Sequence, residues 1–216
     1  MTDHSLPLET IRAVARALLE IEAVVFTPES PLTFKSGILS PVYVDNRRLP
    51  FWPEQWRVVI ESLQQYIAAT NPAYDVIAGI AAGGVPHSSA LAYQLGVPSV
   101  FVRKEAKGHG TGSRIEGGDV TGKRVLLIED LVTTGGSSLA GVAALREAGA
   151  VVTDCLCIVT YGFAEAWTAF QQAGITLHPL TPFLTLVEQA LELGHFGPAE
   201  RDLIEAWMND PHNWGL

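Results

Sequence analysis

Between residues 75 and 180 the chain repeats one pattern: a short, largely apolar run, a loop rich in small residues, then a stretch of helical periodicity. The runs at 75–80, 99–102, 124–129, 151–159 and 175–180 are too continuously apolar to keep one face in water. Such runs belong to strands buried on both faces, and helices between them make parallel neighbours the natural arrangement. Helices are predicted at 87–95, 137–148 and 163–172, the second of them stopped by Gly149. The fold class is therefore α/β, with a central, mostly parallel five-stranded sheet flanked by helices. Upstream, Ile11, Val14, Leu18 and Ile21 fall near helical spacing and predict an amphipathic helix over 7–25, and Pro53 opens another that runs to about residue 69. Residues 32–49, broken at Ser36-Gly37 and Ser40-Pro41, read as short strands and turns. Two more helices close the chain. Ligands of such sheets bind outside the carboxyl ends of the strands, so chemistry is expected in the loops after Ile80, Val102, Glu129 and Val159.

A chain of 216 residues, 48% hydrophobic and 17% charged, holds enough apolar material for a single domain spanning 1–216. No run is long enough to span a bilayer, and the first ten residues lack a basic-then-apolar leader, so a cytoplasmic location is expected. The net charge of −9 argues against general binding to nucleic acid or anionic membranes. Yet six of the 14 Lys and Arg lie between Arg103 and Arg124, which predicts a local anion site. Cys155 and Cys157 are the two cysteines, and their spacing along a strand puts both on one face. Buried free thiols are expected there, not a disulfide or a metal site.

The run at 124–129 ends in Glu129-Asp130 and passes through Leu-Val into Thr133-Thr134-Gly135-Gly136-Ser137-Ser138. Two adjacent carboxylates at the end of a buried strand are costly unless donors or cations meet them. The two glycines let the backbone approach a ligand closely, the following helix begins with free amides, and Thr133, Thr134, Ser137 and Ser138 add hydroxyls. Donors at a helix start suit a phosphate monoester, and acids beside them suit a diol. Together they describe a ribose 5-phosphate site. A merely capped helix behind two solvated acids would need one of those hydroxyls and neither glycine. A Walker-type phosphate loop is excluded because no lysine follows the glycines.

The segment 125–138 resembles the phosphoribosyl diphosphate (PRPP) motif of type I phosphoribosyltransferases. The resemblance implies that family's fold with a small N-terminal hood, mainly residues 26–50 plus C-terminal elements. It gives Glu129 and Asp130 to the ribose 2′- and 3′-hydroxyls, and Thr133, Thr134, Gly135, Gly136 and Ser137 to the 5-phosphate. Asp130 is counted among the catalytic residues.

Two other segments narrow the family. The string Arg103-Lys104-Glu-Ala-Lys107-Gly-His109-Gly-Thr-Gly112 clusters cations beside glycines, as needed where pyrophosphate departs and positive charge grows on the anomeric carbon. It is similar to the catalytic loop of orotate phosphoribosyltransferases. That similarity puts Arg103, Lys104, Lys107 and His109 on the pyrophosphate of PRPP, with Lys107 and His109 catalytic. It also implies a homodimer whose loops reach into each other's active sites. Phe34-Lys35-Ser36-Gly37, with Ser40-Pro41-Val-Tyr43-Val-Asp45-Asn-Arg47 after it, resembles the hood segment of the same enzymes. By that likeness Phe34, Lys35 and Tyr43 meet the base, joined by Thr133.

Where some of these enzymes carry a lysine in the first strand-end loop, this chain has Gly83, so pyrophosphate contacts there rest on backbone amides. His87 is expected to cap or pack. Where many carry an Asp-Arg pair whose arginine helps bind the orotate carboxylate, this chain reads Thr160-Tyr161. Tyr161 is expected to stack on the base or hydrogen-bond to it. The reaction implied by the resemblance joins orotate and PRPP into orotidine 5′-monophosphate and pyrophosphate, a step of de novo UMP biosynthesis. Mg²⁺ is the implied cofactor, held mainly by PRPP and water with no direct protein ligand. The rival readings are transfer of the same group to a purine and a PRPP-sensing regulator on the same fold; the 104–112 loop and the hood speak for the orotate enzyme.

Overall fold

The nine-residue strand that carries the two acids lies at the centre of the sheet and borders the cleft. A computed structural model describes residues 6–34, 36–105 and 114–215 of the chain. Helix α1 (Leu8–Glu20) leads into β1 (Val24–Phe26), β2 (Leu32–Thr33), β3 (Leu39–Ser40), β4 (Val42–Val44) and a 3-10 helix (Asn46–Phe51). The α/β series follows: α2 (Pro53–Thr70), β5 (Val76–Ile80), α3 (Gly84–Leu95), β6 (Ser99–Val102), β7 (Ile115–Glu116), β8 (Arg124–Val132) and α4 (Gly136–Glu147). It continues with β9 (Val151–Thr160), α5 (Ala164–Gln172), β10 (Thr176–Pro182), α6 (Phe183–Glu192) and α7 (Pro198–Asn209).

The main sheet has the order β10-β9-β8-β5-β6-β7. Its first five strands are parallel, as the apolar runs predict, and β7 adds an antiparallel sixth through Phe101↔Glu116 and Val102↔Ile115. Two residues carry no periodicity, so this edge strand was invisible within a glycine-rich stretch. The first helix is also shorter than its 7–25 prediction. Glu22 takes a positive φ of 53°, the chain turns, and Val24–Phe26 pairs with Val42–Val44 instead. Strand β8 is longer than predicted. Both acids lie inside it, and it stays in register with β9 to Val132↔Thr160.

Each face of the sheet has its own core. One gathers Leu126, Ile128, Leu156 and Ile158 under α1, α2, α3 and α6; the other gathers Val125, Leu127, Cys155 and Cys157 under α4 and α5. Both cysteines are free and fully buried, and burial pushes their thiols up. The N-terminal strands are clamped by C-terminal elements. Trp207 of α7 is fully buried and its indole N–H donates to the Leu39 carbonyl at 2.8 Å, while Phe26 meets Phe196 edge-on at 4.3 Å. Among the described residues no helix is long and apolar enough to cross a membrane.

The chain adds β6 on one side of β5 and β8 on the other, so the cleft outside the carboxyl ends of β5 and β8 is a topological switch point. Its floor requires α3 to start almost against β8. A Cβ built on Gly84 would lie 2.6 Å from the backbone oxygen of Ile128, which cannot swing away. Gly84→Ala should therefore destabilise the fold by about 1–3 kcal/mol through overpacking, measured as a lowered denaturant midpoint; an unchanged midpoint would refute this packing argument.

Candidate active site

Adjacent residues of a strand point to opposite faces, and β8 uses that to aim its two acids differently. Glu129 is 4% exposed and turns toward α4, where the Ser138 hydroxyl donates to its Oε2 at 3.0 Å. The Asp130 amide donates to its Oε1 at 3.3 Å. Asp130 turns toward the start of α3, and its carboxylate fills the space that a side chain at Gly83 would need, 2.2 Å from an added Cβ. Both acids are held above the ordinary carboxylate range, mainly by burial and, for Glu129, by its neighbour's charge as well. Ligand hydroxyls donating to these oxygens would relieve much of that cost.

Both acids line a cavity of about 700 Å³ at the switch point. Thr133 to Ser138 form one wall. Gly135 turns there with φ +84° and backs onto the Phe170 ring, and α4 starts at Gly136 without a side-chain cap, leaving its first amides for a ligand. Ser138 departs from expectation, because its hydroxyl is committed to Glu129. A second wall is the backbone of Ile80 to Gly83, and the third comes from the N-terminal strands, with Phe34, Tyr43, Asp45 and Arg47.

Of the residues the sequence singled out, Phe34, Tyr43, Glu129, Asp130, Thr133, Thr134, Gly135, Gly136 and Ser137 meet around this cavity. Tyr161 is placed elsewhere. It is 1% exposed, does not line the cavity, and packs its ring 5.3 Å from Phe34 and 5.5 Å from Trp207. The geometry makes it a support for Phe34, which does line the cavity. Arg103 and Lys104 also lie off the cavity wall; Arg103 reaches Glu116 at 3.4 Å. Lys35, Lys107 and His109 fall outside the described residues. His87 packs, as expected: it is fully buried, its Nδ1 accepts the Trp56 indole N–H at 2.9 Å, and burial pushes it down to about 4.

Two site residues were given no role from the sequence. Asn46 is fully buried and donates from Nδ2 to the backbone oxygen of Asp130 at 2.6 Å, tying the N-terminal segment to the acid pair across 84 positions. Arg47 presents its guanidinium to the cavity, braced by Asp45 and Tyr43. No local pattern marks either contact. A cation directly after Asp-Asn in an otherwise apolar segment was the available signal for Arg47. Among the described residues no group of three or more His, Cys, Asp or Glu is placed to hold a metal. Two buried acids, one already hydrogen-bonded by Ser138, leave little for a metal, which suits a cation whose ligands come mainly from phosphate and water.

Residues 50–164 match the phosphoribosyl transferase domain family. The chain is 41% identical over 201 residues to the orotate phosphoribosyltransferase of Coxiella burnetii, covering 93% of this chain and 96% of that protein. Among solved structures it superposes on the orotate phosphoribosyltransferase of Aeropyrum pernix with a TM-score of 0.72 at 30% identity, over 85% of this chain and 99% of that one. The Mycobacterium tuberculosis orotate phosphoribosyltransferase in complex with PRPP gives a TM-score of 0.64 at 27% identity, over 81% of this chain and 98% of that one.

The raised pKa of Glu129 makes a stability prediction. A carboxyl held above its unfolded value keeps its proton longer when folded, so stability falls as pH rises from the unfolded toward the folded value. Glu129→Gln removes that loss. The ligand-free variant should melt a few degrees higher than the parent at neutral pH, with the gain shrinking at acid pH. Thermal melts across pH check this, and an equal shift at every pH would contradict it.

Proposed function

The chain belongs to the orotate phosphoribosyltransferase family, and from that premise we propose that it transfers the 5-phosphoribosyl group of PRPP to orotate. The products are orotidine 5′-monophosphate and pyrophosphate, as required in UMP biosynthesis. The observation that carries the reading is the convergence on one cavity of an acid pair, the uncapped start of α4 and an aromatic wall from the N-terminal strands.

The 5-phosphate sits on the amides and hydroxyls of Thr133 to Ser137, and the ribose hydroxyls donate to Glu129 and Asp130. The pyrophosphate lies along the backbone of Ala81 to Gly83. Asp130 leaves no room for a side chain at Gly83, which supports main-chain contacts from this loop. Orotate lies against Phe34 and Tyr43 under the hood, with Lys35 and Thr133 beside it. As the C–O bond to pyrophosphate breaks, an orotate ring nitrogen forms the new C–N bond at the anomeric carbon. That nitrogen is acidic enough to need no strong protein base. The acid pair stabilises positive charge on the sugar, and the cations of residues 103–109 stabilise the leaving group. Mg²⁺, when bound mainly through PRPP and water, would supply further charge neutralisation.

Arg103 and Lys104 stand off this chain's own cavity wall, which supports a homodimer in which residues 103–112 serve the partner's site. A cytoplasmic location and a single catalytic domain with a hood complete the reading.

Orotate should be consumed with PRPP and Mg²⁺ in a spectrophotometric assay, and adenine, guanine and hypoxanthine should not; purine turnover without orotate turnover would overturn the proposal. Lys107→Ala should lower turnover by about two to four orders of magnitude while PRPP still binds, as expected for a group acting on the transition state. Near-normal turnover would remove Lys107 from the catalytic set.

A further inference from the structure

Orotate carries a carboxylate, and Tyr161, expected at the base, is instead buried and hydrogen-bonded inward to the Val42 carbonyl at 3.5 Å. The cavity nevertheless has a cation. Arg47 is the one cationic side chain lining it among the described residues.

Its guanidinium is pre-positioned. Nε and Nη2 donate to the two oxygens of Asp45 at 2.6 and 2.9 Å, and Nη2 donates also to the Tyr43 hydroxyl at 2.8 Å. The backbone amide of Arg47 donates to the same Asp45 carboxylate at 3.2 Å, which fixes the acid in turn. The N–H groups on Nη1 donate to no described residue. With Nε and Nη2 committed to Asp45 and Tyr43, the open Nη1 offers a charge-assisted hydrogen bond to one carboxylate oxygen, in a fixed direction. Asp45 already offsets its charge, so a bound carboxylate gains orientation and selectivity more than bulk attraction. The brace comes from the same strand and turn that supply Tyr43 and Val44 to the base wall.

Resting on the orotate reading, we propose that Arg47 receives the carboxylate of the pyrimidine acceptor and selects a carboxylated pyrimidine over uracil. The other oxyanion within this cavity is the pyrophosphate of PRPP. In the proposed reading that group has its own wall at Ala81 to Gly83.

The test is Arg47→Met, an exposed position whose loss leaves the core intact. Steady-state kinetics should show the KM for orotate raised about ten- to a hundredfold, as for loss of a charge-assisted hydrogen bond, with the KM for PRPP unchanged. Calorimetry should show the parent binding orotidine 5′-monophosphate more tightly than UMP, and the variant binding the two alike. Arg47→Lys keeps the charge without the braced Nη1 donor; it should give a smaller rise in orotate KM, and carries the test if the methionine variant does not fold. A rise in PRPP KM with orotate KM unchanged would assign Arg47 to pyrophosphate and overturn the proposal, as would no change in either. A parent protein that consumes no orotate would instead overturn the functional reading.

Discussion

The structure depends on holding two carboxylates at the end of a strand that is otherwise apolar. Leaving such groups buried and unmet is costly, and the surroundings of Glu129 and Asp130 answer that cost piece by piece. Ser138 gives up its hydroxyl to Glu129, so the loop that follows cannot use it for a ligand. Asn46 reaches across from the N-terminal segment to the Asp130 carbonyl. Glycines at 83 and 84 clear the space that Asp130 and the β8 backbone occupy. What remains unmet is the outward side of both acids. Their raised pKa values express a site that is incomplete until hydroxyl donors arrive.

The rest of the fold divides into a rigid half and an assembled half. The cavity walls at 80–83 and 133–138 are strand-to-helix turns of the main sheet, fixed by hydrogen-bonded registers on both sides of β8. The N-terminal wall has no such sheet beneath it. It is built from strands of two or three residues, too short to be stable alone, and is held by aromatic packing. Phe34, Tyr161, Phe163, Phe183 and Trp207 form one cluster, and the Trp207 indole pins the Leu39 carbonyl. The far C-terminal helix is thus a structural part of the site's N-terminal wall. Buried Tyr161 belongs to this scaffold, and Arg47, the cation that lines the cavity among the described residues, follows directly on the N-terminal strands.

Legibility followed the range of the interactions. The five parallel strands were readable because burial on both faces leaves a continuous apolar run. The Thr-Thr-Gly-Gly-Ser-Ser loop was readable because phosphate binding at a helix start is local. The ends were less clear. Glu129 and Asp130 end the apolar run, yet β8 continues past them, since backbone pairing with β9 does not depend on side-chain polarity. The turn at Glu22 ended the first helix while its apolar pattern ran on into β1. Asn46, Arg47 and Tyr161 lay in segments whose likeness was noticed, but their roles turn on partners found only in space.

The sequence by itself determined the α/β class, and it brought out the acid pair and the hydroxyl-and-glycine loop at one strand end, because those follow from periodicity and from residues adjacent in the chain. Only the tertiary structure decided which hydroxyl serves an acid, that Tyr161 packs behind the cavity wall, and which cation borders the cavity. Those assignments depend on contacts such as Asn46 with Asp130 and Trp207 with Leu39, made across 84 and 168 positions, and one-dimensional pattern carries no record of them.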